Sequence, residues 1–399
     1  MSIASISLDQ LRFVKRANVY KGNHLAGTLS RDSEGVVEFK YRDDYVGDPV
    51  AFSLPLGETS TQQGGALPAF FAGLLPEGHR LNVLNRATKT SMNDEFTMLL
   101  AVGADTPGDV RIFASEAAPN EVPPLYEDPY RWSFQDLTEM VDPYAVPGVQ
   151  PKASASMINM PIRTRRTHAI LKIDPAQYPH LVRNEALHLR HARGLKIPVA
   201  KSQLVVDKEG VEGLLVERFD RRVDASGQIV RLAQEDASQV LQIPPSEKYN
   251  VESEAVVAAL AQHTSAPMVA IRALYVQFLF AWLTGNGDVH AKNLSILRNP
   301  EGVWEVAPMY DLPCTALYRD FTMALPIDGQ TKNLRGRHWD AFADNIGLPI
   351  RAARSAQRLV LRVAKGIDLS ELPFDGSPLH GAQRELSSRR HQIESLLDT

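Results

Sequence analysis

Gly285-Asn-Gly-Asp288-Val-His290-Ala-Lys-Asn293, with Tyr310-Asp311 following beyond a short apolar hairpin, organises the reading of this chain. Kinase-type phosphoryl transfer uses an aspartate that accepts the proton of an attacking hydroxyl, an asparagine about five residues later that holds magnesium, and a second aspartate that binds the metal bridging the phosphates. Asp288, Asn293 and Asp311 fit those places. The flanks supply the geometry: residues 294–297 read as a strand, Asn299-Pro-Glu-Gly302 as a turn and residues 303–307 as the returning strand. A hairpin brings its outer ends together, so Asn293 and Asp311 are expected side by side, offering oxygen ligands to one cation. A lone Asp-x-His is an ordinary loop pair. The full set points to a phosphotransferase active site.

At 399 residues the chain is long enough for two or three domains and a sizeable core. Hydrophobic content of 44% and charged content of 23% suit a soluble globular protein, and a net charge of -4 makes no overall case for nucleic acid. The one cysteine, Cys314, excludes an internal disulfide and a multi-cysteine zinc site, and suits a reducing cytoplasm. Residues 1–18 lack a basic-then-apolar export pattern. The most apolar run, 273–283, contains Gln277 and falls short of the roughly 20 residues that span a bilayer. It reads as a buried helix feeding the catalytic loop, and no membrane partner is expected.

Strand and turn signals at 17–20, 27–29 and 36–41 mark a small β-rich unit, and helical stretches follow at 68–75, 77–85 and 94–102. Proline then crowds the chain at Pro119, Pro123, Pro124, Pro129 and Pro143, which places a boundary between about 115 and 145. Beyond it, residues 168–173 read as a strand whose alternation puts Ile170 and Lys172 on one face and Leu171 and Ile173 on the other. A helix over 179–193, capped by Gly194, presents Glu185. Lys172 and Glu185 are expected to form the ion pair that steadies a phosphate-binding lysine; the plain alternative is a snorkelling lysine and a solvated glutamate. Strands at 202–207 and 213–219 flank the turn Lys208-Glu-Gly210, after which Glu217-Arg218-Phe219-Asp220 would link two lobes or simply end a strand.

Neither a Gly-x-Gly-x-x-Gly loop nor a Walker pattern is present. The best substitute is Pro147-Gly148-Val149-Gln150-Pro151-Lys152, where glycine lets backbone amides approach phosphate and the lysine adds positive charge. Its alternative is a proline-glycine turn before a strand. Arg351, Arg354, Arg358, Arg362 and Lys365 fall at helical spacing on one face of the segment 349–365. Such a stripe is either a solvated face or a surface for DNA phosphates.

Taken together, Gly148-Val-Gln-Pro-Lys152, His168-Ala-Ile-Leu-Lys172, Val216-Glu-Arg-Phe-Asp-Arg221, Gln234-Glu-Asp236, the catalytic loop through Ser295, and Met309-Tyr-Asp311 resemble the HipA family of bacterial serine/threonine kinase toxins. Leu74-Leu-Pro-Glu-Gly78 and residues 96–110 extend the resemblance into the N-terminal unit. It implies an α+β fold with a protein-kinase-like bilobal core and a small β-rich N-terminal subdomain. The expected division is 1–115 for that subdomain, 116–145 for a proline-rich connection, 146–220 for the N-lobe and 221–399 for a mainly helical C-lobe.

By the same resemblance Asp288 is the catalytic base, and Asn293 and Asp311 hold magnesium. ATP would lie against Lys172, the hinge residues Glu217, Arg218 and Phe219, the mobile loop 147–152, and His290, Ala291, Lys292, Asn293, Tyr310 and Asp311. The implied partners are a HipB-type helix-turn-helix antitoxin, operator DNA reached through it, and a protein substrate such as an aminoacyl-tRNA synthetase. Family members carry a serine three residues before the loop glycine, whose autophosphorylation expels the loop. Here that position is Ala145, which has no hydroxyl, so the resemblance implies a chain without that switch. A small-molecule kinase of the same fold and a non-catalytic DNA-bound corepressor are the competing readings.

Overall fold

The computed structural model describes residues 7–117, 132–134, 157–163 and 168–398. Its N-terminal unit is an antiparallel sheet in the order β4-β3-β2-β1-β5, formed by β1 (Arg16–Lys21), β2 (His24–Arg31), β3 (Val37–Tyr41), β4 (Thr59–Gln62) and β5 (Val110–Ala114). Alternation buries Ala17, Val19, Val37 and Phe39 against helices α1 (Ala69–Gly73), α2 (Gly78–Thr88) and α3 (Glu95–Val102). Asp94 caps α3 by accepting the Thr97 amide at 3.1 Å.

A second antiparallel sheet, β6-β7-β9-β8, comprises β6 (Ile158–Arg163), β7 (His168–Ile173), β8 (Ser202–Val206) and β9 (Glu212–Glu217). Leu171 and Ile173 pack with Trp132 and Phe134 on one face, while Ile170 and Lys172 line a cleft on the other, as the alternation predicts. Helix α4 (Leu181–Ala192) carries Glu185 to that sheet. Gly194 is not its left-handed cap, contrary to expectation. The helix tightens into a 3-10 turn, Arg193–Leu195, and Lys196 takes the left-handed conformation at φ 58°. Gly194 instead permits close approach, because a Cβ there would stand 3.1 Å from Val363.

Short strands β10 (Arg221–Val223) and β11 (Ile229–Arg231) lead into a sheet of β12 (Gln234–Asp236), β13 (Ser295–Arg298) and β14 (Trp304–Val306). The predicted hairpin is therefore present, with its strands starting one residue later. Around it gather α5 (Ala237–Val240), α6 (Ser253–Ala261), α7 (Pro267–Thr284), α8 (Gly336–Asn345), α9 (Ile350–Lys365) and α10 (Gly376–Leu397). Helix α7 is buried from Ala273 to Thr284 and runs into the catalytic loop. Gly285 ends it at φ +74°, where a Cβ would meet Ala316 at 2.9 Å, so glycine is required twice over.

Glu235 in β12 joins the N-terminal unit to this region, its two oxygens accepting the Phe52 amide at 3.0 and 3.2 Å. Burial pushes its carboxyl from the ordinary 4.5 up to about 8. Between those values the unfolded chain is ionised there while the folded protein keeps the proton. Stability therefore falls as pH rises through that window and levels off above it. Glu235→Gln, which keeps an acceptor for Phe52, is expected to raise the Tm by about 2 °C or more at pH 8. At pH 4.5 it should change the Tm little; a melting series giving the same shift at both pH values would contradict this.

Candidate active site

Strand β7 and helix α4 meet at the Lys172 ammonium, which donates to both oxygens of Glu185 at 2.8 Å and to Asp311 Oδ1 at 2.9 Å. Burial alone would depress this lysine. Asp311 and Glu185 outweigh it and hold the group above the ordinary lysine value, so it stays charged. The other Asp311 oxygen accepts from Asn293 Nδ2 at 2.9 Å, so the hairpin brings its two ends together as expected. Asp311 sits in left-handed backbone at φ 60°, and Asn286 Nδ2 donates to its carbonyl at 3.1 Å. Asn184, beside Glu185 on α4, is bonded both ways to the Cys314 backbone, at 3.0 and 2.8 Å. The helix and the segment after Asp311 are thus tied to each other.

Asp288 lies at the turn after α7, with its amide donating to Asn286 Oδ1 at 3.0 Å. Gly287 before it leaves no room for a side chain, since a Cβ would stand 2.3 Å from the Thr322 carbonyl. The Asp288 carboxylate accepts from the Tyr249 hydroxyl at 2.9 Å, a contact that sequence reasoning missed. Tyr310 donates to the Lys292 carbonyl at 2.7 Å and stacks obliquely with Phe219, whose ring lies 5.5 Å away. His290, Lys292, Asn293 and Tyr310 line the same cleft as Lys172 and Asp311. Ala291 does not face it: the residue is buried within a 3-10 turn, its amide donating to the Lys248 carbonyl at 3.2 Å.

Glu217, Arg218 and Phe219 pass along the cleft. The Arg218 side chain, however, turns toward the N-terminal unit, bonding Asp105 at 3.1 Å and Asp220 at 2.8 Å. Its place in the cleft is therefore a matter of backbone. The arginine stripe on α9 is also corrected. Arg354 is half-buried and forks onto Asp340, while Arg351, Arg358, Arg362 and Lys365 are exposed, the last of them pairing with Glu394. Residues 147–152 and Ala145 lie outside the described residues.

The donor set suits a hard cation that also binds phosphate. Asp311 presents carboxylate oxygens beside a lysine, and Asn293 adjoins it with its amide nitrogen toward Asp311. Among the described residues no group of three or more His, Cys, Asp or Glu side chains could cage a metal. A magnesium ion that keeps waters and phosphate oxygens in its shell needs only one or two protein ligands. Asn293 Oδ1 now accepts the His290 amide at 3.1 Å, so the asparagine would reorient to serve.

Three residues of the N-terminal unit, Gly73, Glu77 and Pro107, also line the cleft. Glu77 belongs to the quoted Leu74-Leu-Pro-Glu-Gly78 segment, which was the one sequence signal for it.

The HipA-like C-terminal domain family matches residues 144–367, and the HipA N-terminal domain family matches residues 17–113. A putative kinase, Y4mE of Sinorhizobium fredii, is 28% identical over 92% of this chain and 96% of its own length. The serine/threonine-protein kinase toxin HipA of Shewanella oneidensis is 29% identical over 83% of each. The solved HipA of Shewanella oneidensis, in complex with HipB and operator DNA, superposes with a TM-score of 0.75 at 25% identity, covering 96% of this chain and 99% of that one. With both parts of the family pattern matched in order and a kinase-like fold shared over nearly its whole length, the chain belongs to the HipA family.

Proposed function

We propose that the chain is an ATP- and magnesium-dependent serine/threonine protein kinase, acting in the cytoplasm as the toxin of a toxin-antitoxin pair. The observation that carries this reading is the convergence of Lys172, Glu185, Asn293 and Asp311 from four separate elements onto one cleft. The nucleotide supplies the phosphoryl group, and magnesium neutralises its charge. Lys172 would hold the phosphates and Asp311 with Asn293 the metal, while Glu217 and Phe219 border the base. Asp288 would accept the proton of the acceptor hydroxyl as that oxygen bonds to the terminal phosphorus and the bond from that phosphorus to the bridging oxygen breaks, releasing ADP.

The Shewanella oneidensis complex supports a HipB-type antitoxin and operator DNA as partners. For direct DNA contact, Arg351, Arg358 and Arg362 are the residues we propose. The acceptor is a protein, and an aminoacyl-tRNA synthetase is the one the family resemblance implies, with arrested translation as the consequence. Transfer of labelled γ-phosphate from ATP to protein in a bacterial lysate tests the reading; label found only in small molecules would replace it with a small-molecule kinase.

Asp311→Asn separates the metal role from the chemistry. Losing a direct ligand should weaken magnesium-ATP binding at least about tenfold, the lower end of what changes in outer-shell partners cost. Binding of ATP without magnesium should change far less. Calorimetric titration with and without magnesium checks this, and an unaltered magnesium-dependent affinity would remove Asp311 from the metal site.

A further inference from the structure

Glu77 enters the cleft from outside the kinase-like core and is bonded to two lysines at once. One oxygen accepts from Lys292 in the catalytic loop, the other from Lys248, and Lys292 also donates to the Gly73 carbonyl at 3.3 Å. All three side chains are largely withdrawn from water, the lysines at 1% and 3% exposure and Glu77 at 12%. Burial would raise the Glu77 carboxyl, but Lys292, Lys248 and His290 bring it down to about 2, so it is a carboxylate at any physiological pH.

Lys248 and its neighbour touch the catalytic loop at three further points. The Lys248 carbonyl accepts the Ala291 amide at 3.2 Å, the Tyr249 hydroxyl donates to Asp288 at 2.9 Å, and the Tyr249 ring meets His290 edge-on with centroids 5.0 Å apart. One carboxylate from the N-terminal unit therefore bridges the loop and the brace that holds its aspartate, a single negative charge shared by two ammonium groups. Without it, two ammonium groups would lie close together in a dry site with no carboxylate bonded to either, an unfavourable arrangement relieved by movement or loss of a proton.

We propose that Glu77 is a positioning residue for phosphoryl transfer, through which the N-terminal unit sets the catalytic loop. The inference rests on Asp288 being the base. It makes the N-terminal unit a working part of the active site, so a partner that shifts that unit would change turnover without touching the nucleotide.

The test uses the full chain and four variants: Glu77→Gln, Glu77→Asp, Lys292→Gln, and Glu77→Gln combined with Lys292→Gln. Transfer of labelled phosphate from magnesium-ATP to lysate protein gives kcat and the KM for ATP. Hydrogen exchange reports the mobility of residues 285–293. Small misplacements of reacting groups cost up to about 100-fold, so Glu77→Gln is expected to lower kcat roughly 10- to 100-fold. The KM for ATP should stay within about threefold, because Lys172, Asn293 and Asp311, proposed to hold the phosphates and the metal, are untouched, and the loop amides should exchange faster. Glu77→Asp keeps the charge but withdraws it by one methylene, and should fall between. If Glu77 acts through Lys292, removing it from the Lys292→Gln protein should cost far less than removing it from the parent.

Parent-like kcat in folded Glu77→Gln, losses that multiply in the double variant, or a change confined to the KM for ATP would overturn the proposal. Should Glu77→Gln not fold, Glu77→Asp decides, with parent kcat overturning and reduced kcat at unchanged KM supporting. Asp288→Asn runs alongside: if it is inactive while Glu77→Gln turns over normally, only this inference falls. An active Asp288→Asn, or a parent that transfers no phosphate, removes the functional reading and this inference with it.

Discussion

Asp288→Asn is expected to slow phosphate transfer by about 100- to 10,000-fold, the range that loss of a positioned general base costs. The amide is isosteric with the carboxylate, and its oxygen still accepts from the Tyr249 hydroxyl that bonds Asp288 at 2.9 Å, so the loop should keep its shape. What disappears is the capacity to take a proton. Magnesium-ATP affinity should stay near that of the parent, because Lys172 and Asp311 are untouched, and growth inhibition on expression should vanish with the transfer. A folded Asp288→Asn protein that transfers phosphate at the parent rate would sink the assignment of the base. One that has lost nucleotide binding as well would show that Asp288 shapes the cleft instead.

Where local rules suffice, the site was legible in the sequence. Strand alternation put Lys172 on the cleft face of β7, and a hairpin's closure put Asn293 against Asp311. What failed to show were contacts made across the chain. Glu77 meets Lys248 and Lys292 over separations of 171 and 215 residues, and nothing in the spacing of a glutamate and two lysines announces such a bridge. Tyr249 reaches Asp288 from an irregular segment with no periodicity to read.

The arginine stripe shows the same limit from the other side. Helical spacing placed Arg354 and Lys365 on a shared face, but their partners, Asp340 and Glu394, come from neighbouring helices. Strand β6 escaped notice because it contains Pro161, which a central strand would not tolerate. It is an edge strand of its sheet, where proline is admitted. The division of the chain near its proline-rich segment remains our proposal, since most of residues 116–145 lie outside those described.

Asp105→Asn is expected to destabilise the protein by about 3–5 kcal/mol, the typical cost of leaving a buried charge without its partner. Asp105 is 1% exposed and takes Arg218 at 3.1 Å and Arg221 at 2.7 Å, while Asp220 takes the same two guanidinium groups at 2.8 Å each. Burial would raise the Asp105 carboxyl, but Arg218 and Arg221 overcome this and hold it well below the ordinary carboxylate range. Its contribution is therefore fully present above its ordinary 3.8, and is lost only as pH falls toward its lower folded value. Neutralising it leaves the arginines in a dry site with one carboxylate between them. The cost should reach function, because Arg218 lies between Glu217 and Phe219 and its amide donates to the His168 carbonyl at 2.8 Å. Once its side chain is released, the wall of the cleft shifts, and magnesium-ATP affinity falls along with the Tm. Denaturant titration and nucleotide binding on the same preparation check both parts. An Asp105→Asn protein with parental stability would mean that Asp220 alone neutralises the pair. Lost stability with unaltered affinity would mean that the cluster fastens the two units together without setting the hinge.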